Sequence, residues 1–318
     1  MSTRSFHPSR WALFVMMLLQ GIMIFSSRLT YGLAQDIDAT VRSQPAEVSR
    51  EPTTKQPMKQ PMIVAHRGAS ADAPENTLPA FQLGWDQNAD AIEGDFFLTL
   101  DKQIVALHDS STERTSGTAW DVRKKTAAEL RTLEVGRWKH HDFVNVRIPT
   151  LAEVVQTIPV GKKLFLEVKD SPRFVPVLKQ QLTSEPALAS LSLEQLVIIA
   201  FDAEVIAASK RELPEVKAFW LTGFKADAQT GKISPSLAEI LSTLQTINAD
   251  GLDCQAADHI DHSYVDQIRA AGYQFHVWTI DDPAIAKRFA EFGVDSITTN
   301  VPQIIRHQLT LPTANPSR

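Results

Sequence analysis

From Met62 onward the chain alternates short apolar or β-branched runs with stretches of helical periodicity, and this alternation restricts the fold more than any other feature. Strand patterns fall at 62–65, 91–98, 163–168, 196–201, 216–221, 251–254, 274–279 and 296–298. Between them, helical patterns fall at 78–87, 151–157, 175–182, 203–211, 235–246, 263–271 and 283–292, with a closing segment at 301–308. Helices that separate strands require parallel pairing, and eight such strands suggest closure into a (β/α)8 TIM barrel. A barrel of about 250 residues fits the chain as one domain over 61–310. The hydrophobic share of 43% suffices for its core. An open doubly wound sheet is disfavoured, because no glycine-rich dinucleotide or phosphate loop follows the first strand. A small insertion follows the second strand, with an extra strand expected at 103–107 and a short helix at 126–133. Pro235 and Pro283 fit the first turns of their helices.

The segments outside 61–310 read differently. Arg4 and Arg10 precede an apolar run from Trp11 to Phe25, and small residues Gly32 and Ala34 follow. That order reads as a secretory signal over 1–34 cut after Ala34, with an uncleaved membrane anchor as the alternative. Either form sends the rest of the chain across a membrane, so the protein is expected to be exported, periplasmic or extracellular. Residues 35–60, with Pro45, Pro52 and Pro57, read as a disordered linker, and 311–318 as a tail. A formal net charge of −5 offers no basic track for nucleic acid, though a local cationic pocket can still hold an anion. The single cysteine, Cys254, reads as a buried thiol, which is compatible with export if the fold is stable without disulfides. Nothing in the sequence fixes an oligomeric state.

Several groups with chemical potential sit at strand ends. His66-Arg67-Gly68 follows the first strand, where a barrel presents its reactive face. Arg67 offers a planar fork for phosphate oxygens, His66 can move a proton near neutral pH, and Gly68 permits a tight turn. Glu93 and Asp95 lie two residues apart on the second strand, so both point to one face. Two inward acids need compensation, and a divalent cation with oxygen ligands, Mg²⁺ or Ca²⁺, supplies it. Glu167 offers a third carboxylate from the next barrel strand, and Lys169 a positive charge. His108 ends the inserted strand, and ester cleavage benefits from one proton acceptor and one donor.

In order along the chain, His66-Arg67-Gly68, Pro74-Glu75-Asn76-Thr77, Glu93-Gly94-Asp95, His108-Asp109, Arg114-Thr115-Ser116-Gly117, Pro149-Thr150-Leu151, Leu166-Glu167-Val168-Lys169 and Val277-Trp278-Thr279 form one constellation. It resembles the glycerophosphodiester phosphodiesterase family over 62–308. The resemblance implies His66 and His108 as the acid/base pair, and Glu93, Asp95 and Glu167 as ligands of the divalent metal. It further implies Arg67 and Lys169 as phosphate holders, Glu75 and Asn76 as organisers of the site, and Trp278 as a pocket aromatic, the other reading of Trp278 being barrel packing. Asn300 departs from the pattern, since many relatives carry an acid there.

The activity implied is metal-dependent hydrolysis of a small glycerophosphodiester to glycerol 3-phosphate and an alcohol, by attack of the neighbouring glycerol hydroxyl through a cyclic phosphate. Direct attack by water is left open, as is which histidine performs which step. A lysophospholipase D on the same barrel is the alternative enzyme, and a catalytically silent glycerophosphodiester-binding protein the alternative outside catalysis. Membrane contact is expected only through an uncleaved N-terminal segment.

Overall fold

The computed structural model describes residues 60–310. The signal or anchor, nearly all of the linker and the tail expected from the sequence lie outside the described residues.

Among the described residues there are eleven strands: β1 (Met62–Ala65), β2 (Ala91–Leu98), β3 (Ile104–Ala106), β4 (Lys163–Val168), β5 (Leu196–Ala200), β6 (Lys217–Thr222), β7 (Lys225–Ala226), β8 (Ile233–Ser234), β9 (Gly251–Gln255), β10 (Gln274–Trp278) and β11 (Ser296–Thr299). The parallel ladder runs β1-β2-β4-β5-β6-β9-β10-β11 and returns to β1. Eight strands therefore close a (β/α)8 barrel.

The helices are α1 (Leu78–Asp86), α2 (Glu113–Ser116), α3 (Ala127–Leu130), α4 (Leu151–Val155), α5 (Phe174–Ser184), α6 (Ala203–Glu212), α7 (Leu237–Thr246), α8 (His262–Ala270), α9 (Pro283–Glu291) and α10 (Pro302–Thr310). Side-chain caps set the starts of α1, α3, α4 and α6 through α9. Thr150 and Ser236 form reciprocal capping boxes with Glu153 and Glu239, satisfying orphan amides at both ends of the box. Pro283 is the first residue of α9, as expected. Pro235 is a correction: it precedes the cap Ser236 and is outside α7, because the Ser236–Glu239 box sets the start.

Strand parity divides the core in two. Ile92, Phe96, Leu164, Leu166, Leu252 and Cys254 pack outward into the layer between barrel and helices. Val64, Ala91, Phe165, Val197 and Phe219 fill the barrel interior. The insertion carries its own small core of Phe97, Val105, Val122, Leu130 and Ile148, around an antiparallel β2–β3 pair. That core fixes the segment from Leu107 onward against the rim. A β7–β8 hairpin between β6 and α7 is a second excursion, which the sequence reading did not contain.

Candidate active site

The turn after β1 is shaped by backbone geometry. Gly68 adopts a φ of +81°, and a Cβ there would lie 2.4 Å from the Ala80 carbonyl carbon, so only glycine lets α1 pack this closely. Arg67 and Asn76 also adopt left-handed φ values, 55° and 57°. In this conformation the Arg67 amide donates to Glu93 Oε2 at 2.9 Å. Asn76 is buried and grips Asp95 twice: its Nδ2 donates to Oδ2 at 2.8 Å, and its Oδ1 accepts from the Asp95 amide at 3.0 Å.

Glu93 and Asp95 point into the barrel, as their spacing predicts, and β4 places Glu167 directly beside Asp95. Carboxylate oxygens of the three acids lie within 4.8 Å of one another, all buried. Burial, with the negative charges of Asp95 and Glu167, pushes the Glu93 carboxyl well above its ordinary range. Burial and Asp95 likewise push Glu167 up to about 8. At Asp95 burial acts in the same direction, but Arg67, Lys169 and His108 outweigh it and hold the carboxyl below its usual value. Glu93 Oε1 is buried with no hydrogen-bond partner, and Asp95 Oδ1 makes none although Lys169 Nζ stands 3.5 Å away. Three converging carboxylates, two of them with an unsatisfied oxygen, fit a divalent cation.

The two cations meet these acids. Arg67 Nε lies 3.1 Å from Asp95 Oδ2, and Lys169 Nζ 2.8 Å from Glu167 Oε1. Both also line the cleft, so a phosphate entering it would share them with the carboxylates. Glu75 accepts from Arg67 Nη1 at 3.1 Å and takes a two-pronged pair from Arg114, at 2.7 and 3.0 Å. Burial favours protonated Glu75, yet Arg114 and Arg67 together hold it lower. Arg114 continues to Asp109 at 2.6 Å, and Asp109 Oδ1 meets His108 Nδ1 at 2.7 Å. A continuous chain of charge-assisted contacts thus runs from Asp95 to His108 and sets the inserted strand's histidine at the mouth.

His66 sits on the other side. Its Nδ1 lies 2.7 Å from Asn300 Oδ1, and the Asn300 amide nitrogen is committed to Asp281 Oδ2 at 2.6 Å. With that orientation Oδ1 can only accept, so Nδ1 carries the proton and Nε2 is left with a lone pair. Burial, reinforced by Arg67, lowers the His66 pKa and favours the neutral ring.

His66, Arg67, Glu93, His108, Glu167 and Lys169 line one end of a cleft of about 170 Å³. Ile199, Phe201, Leu221, Asp253 and Trp278 line the other. Trp278 is both wall and packing: its ring meets Phe201 edge-on with centroids 5.5 Å apart, and its Nε1 donates to the Asp253 carbonyl at 3.2 Å. Cys254 is buried on the opposite strand face, as expected. Asp253 escaped the sequence reading, although the parity that marks Glu93 and Asp95 also turns it inward. Burial, with the charge of Glu167, pushes Asp253 up to about 8. Deeper in the barrel, His276 stacks on Phe219 at 4.1 Å and its Nδ1 meets Ser296 Oγ at 2.7 Å.

Residues 66–304 match the Glycerophosphoryl diester phosphodiesterase family. The chain belongs to that family. It is 29% identical over 248 residues to the glycerophosphodiester phosphodiesterase of Caldanaerobacter subterraneus subsp. tengcongensis, covering 77% of this chain and 96% of that one. Among solved structures, a phosphodiesterase of Oleispira antarctica in complex with the product sn-glycerol-3-phosphate superposes with a TM-score of 0.68 at 26% identity, covering 79% and 97% of the two chains. The glycerophosphodiester phosphodiesterase of Agrobacterium tumefaciens shares the fold with a TM-score of 0.63 at 24% identity, covering 78% and 99%. Membership of this family makes the chain a phosphoric diester hydrolase acting on glycerophosphodiesters.

Proposed function

We propose that the chain hydrolyses small glycerophosphodiesters to glycerol 3-phosphate and an alcohol, with His66 and His108 as the proton-transfer pair and a divalent cation held by Glu93, Asp95 and Glu167. The observation that carries this reading is the pairing of two histidines, each with an occupied Nδ1, at one cleft that Glu93, Glu167, Arg67 and Lys169 also line. When bound, the cation polarises the phosphoryl oxygens and offsets developing negative charge. Arg67 and Lys169 add fixed positive charge on the same group. Mg²⁺ and Ca²⁺ both suit the oxygen donors.

His66, neutral with its Nε2 lone pair available, accepts the proton of the glycerol hydroxyl next to the phosphoester as that oxygen attacks phosphorus. His108, its Nδ1 backed by the Asp109 carboxylate, donates a proton to the departing alcohol oxygen. Water then opens the cyclic phosphate, with the two roles exchanged. Arg67 and Lys169 can address the phosphate and Trp278 the glycerol, so choline and ethanolamine diesters are expected to have specificity constants within about tenfold. The decisive assay supplies metal-replete protein with glycerophosphocholine, glycerophosphoethanolamine and a lysophospholipid, and identifies both products. Glycerol 3-phosphate from the two small diesters is the expected result. Turnover of the lysophospholipid alone would replace this reading with a lysophospholipase D.

Export belongs to the same proposal, supported by the basic start and the apolar Trp11–Phe25 run. Among the described residues no helix is long and apolar enough to cross a membrane. N-terminal sequencing of mature protein should begin near Gln35; soluble cytoplasmic protein that still begins at Met1 would count against export.

A further inference from the structure

The cleft has two unlike ends: ionic groups crowd around His66 at one, and Ile199, Phe201, Leu221 and Trp278 wall the other. Asp253 is the one acid at this apolar end. Its chain neighbours Leu252 and Cys254 pack outward, so β9 turns Asp253 into the barrel. The residue is only 1% exposed, and its Oδ1 is buried with no hydrogen-bond partner. Nor is it in the group of acids whose oxygens converge within 4.8 Å, which comprises Glu93, Asp95 and Glu167. A buried carboxyl oxygen without a partner is costly, and one that lines a substrate cleft has its natural partner in the ligand.

We propose that Asp253 is a specificity-determining residue that hydrogen-bonds the terminal hydroxyl of the substrate's glycerol moiety. The inference rests on the glycerophosphodiester reading above. The middle hydroxyl must reach phosphorus and therefore stays at the ionic end. The terminal hydroxyl is left to project between apolar walls, where Asp253 offers the carboxyl. Trp278, tied through its Nε1 to the Asp253 carbonyl, holds its ring beside this position and covers the carbon chain. A hydroxyl that finds a partner beside these apolar walls is selected over a methyl group, because the analogue leaves the carboxyl without a substrate partner.

The test compares glycerophosphocholine with the phosphocholine ester of propane-1,2-diol, which lacks only the terminal hydroxyl and keeps the attacking one. The full-length metal-replete enzyme should prefer the glycerol compound by tenfold or more in kcat/KM. Asp253→Ala and Asp253→Leu should lower kcat/KM for glycerophosphocholine to the level of the analogue, while kcat/KM for the analogue stays within threefold of wild type. Asp253→Asn, which keeps a donor and an acceptor, should retain most of the preference. Alanine cannot overfill the cleft, so it reports even if the leucine variant misfolds. Variants that keep the wild-type preference, lose both substrates equally, or require more metal for half-maximal activity overturn the assignment. Wild-type enzyme that cleaves neither compound brings down the glycerophosphodiester reading and this inference together; cleavage of both without preference brings down this inference alone.

Discussion

At His66 the proton inventory is set by one amide. Removing either ring of the proposed pair should lower kcat by about a hundredfold or more, as expected for general acid/base groups, with the thermal midpoint close to wild type. An activated leaving group separates the two roles: glycerol 3-(p-nitrophenyl) phosphate should rescue His108→Ala, whose missing proton the nitrophenolate does not need, and leave His66→Ala slow. Rescue of His66→Ala instead would reverse the assignment. Asn300→Asp puts a carboxylate at His66 Nδ1, where the amide oxygen now stands. The imidazolium is then favoured and the His66 pKa rises, so the acid limb of kcat/KM should move to higher pH. The same change removes the amide donor from Asp281 and should cost about 1–2 kcal/mol in urea denaturation. The acid cluster makes a separate prediction. Glu93 and Glu167 have folded pKa values raised above their unfolded ones, Glu167 to about 8. Between the ordinary carboxylate range near 4.5 and about 8, the chelated protein holds protons that its unfolded chain has released. Its stability should therefore fall as pH rises through that window, and added Mg²⁺ or Ca²⁺ should flatten the fall while restoring activity. A chelated protein that stays fully active would remove the three acids from the mechanism.

At the scale of elements, the turn from β1 into α1 is where backbone and chemistry meet. Gly68→Ala would drive a methyl into the Ala80–Phe81 backbone at an unfavourable φ, displacing α1 and with it the Arg67 amide that caps Glu93. A loss of about 2–4 kcal/mol is expected in urea denaturation, together with a drop in metal affinity. These elements were legible in the sequence because parity and periodicity are local. Glu93 and Asp95, two residues apart, had to share a face, and Pro283 had to begin α9. The β7–β8 hairpin was not legible, since Lys225–Ala226 and Ile233–Ser234 are too short to show any alternation. Asp253 was missed for a different reason: its inward direction follows from parity, but its value depends on Ile199, Leu221 and Trp278, which arrive from three other strands. The Lys169–Glu167 pair is local and legible as a strand-end ion pair, whereas the pairing of Arg67 with Asp95 was not, because the turn after β1 and the β1–β2 register decide it.

At the scale of the molecule, the site depends on ring closure. His66 follows the first strand, its amide bonds the Thr299 carbonyl at 2.8 Å, and its ring is oriented by Asn300 just after the last strand. β1 takes β11 on one side and β2 on the other, so no edge of the barrel remains open. α10 then locks the closure from outside: Arg306 binds Asp90 on the loop before β2, and Leu309 accepts from the Gln60 side chain at 2.8 Å. A fragment of residues 60–310 contains every contact described for the site, and it should fold cooperatively and cleave glycerophosphocholine with kcat/KM within about twofold of the mature protein. A fragment of residues 60–291 lacks β11 and α10, leaving β1 and β10 as open edges and His66 without its orienting amide. It should lose the cooperative urea transition as well as activity, because a parallel strand edge and the interior acids cannot be satisfied one half at a time. If the shorter fragment still unfolds in one transition and retains a tenth of the activity, closure by the last strand is not what assembles the site, and Asn300 has no part in setting the state of His66.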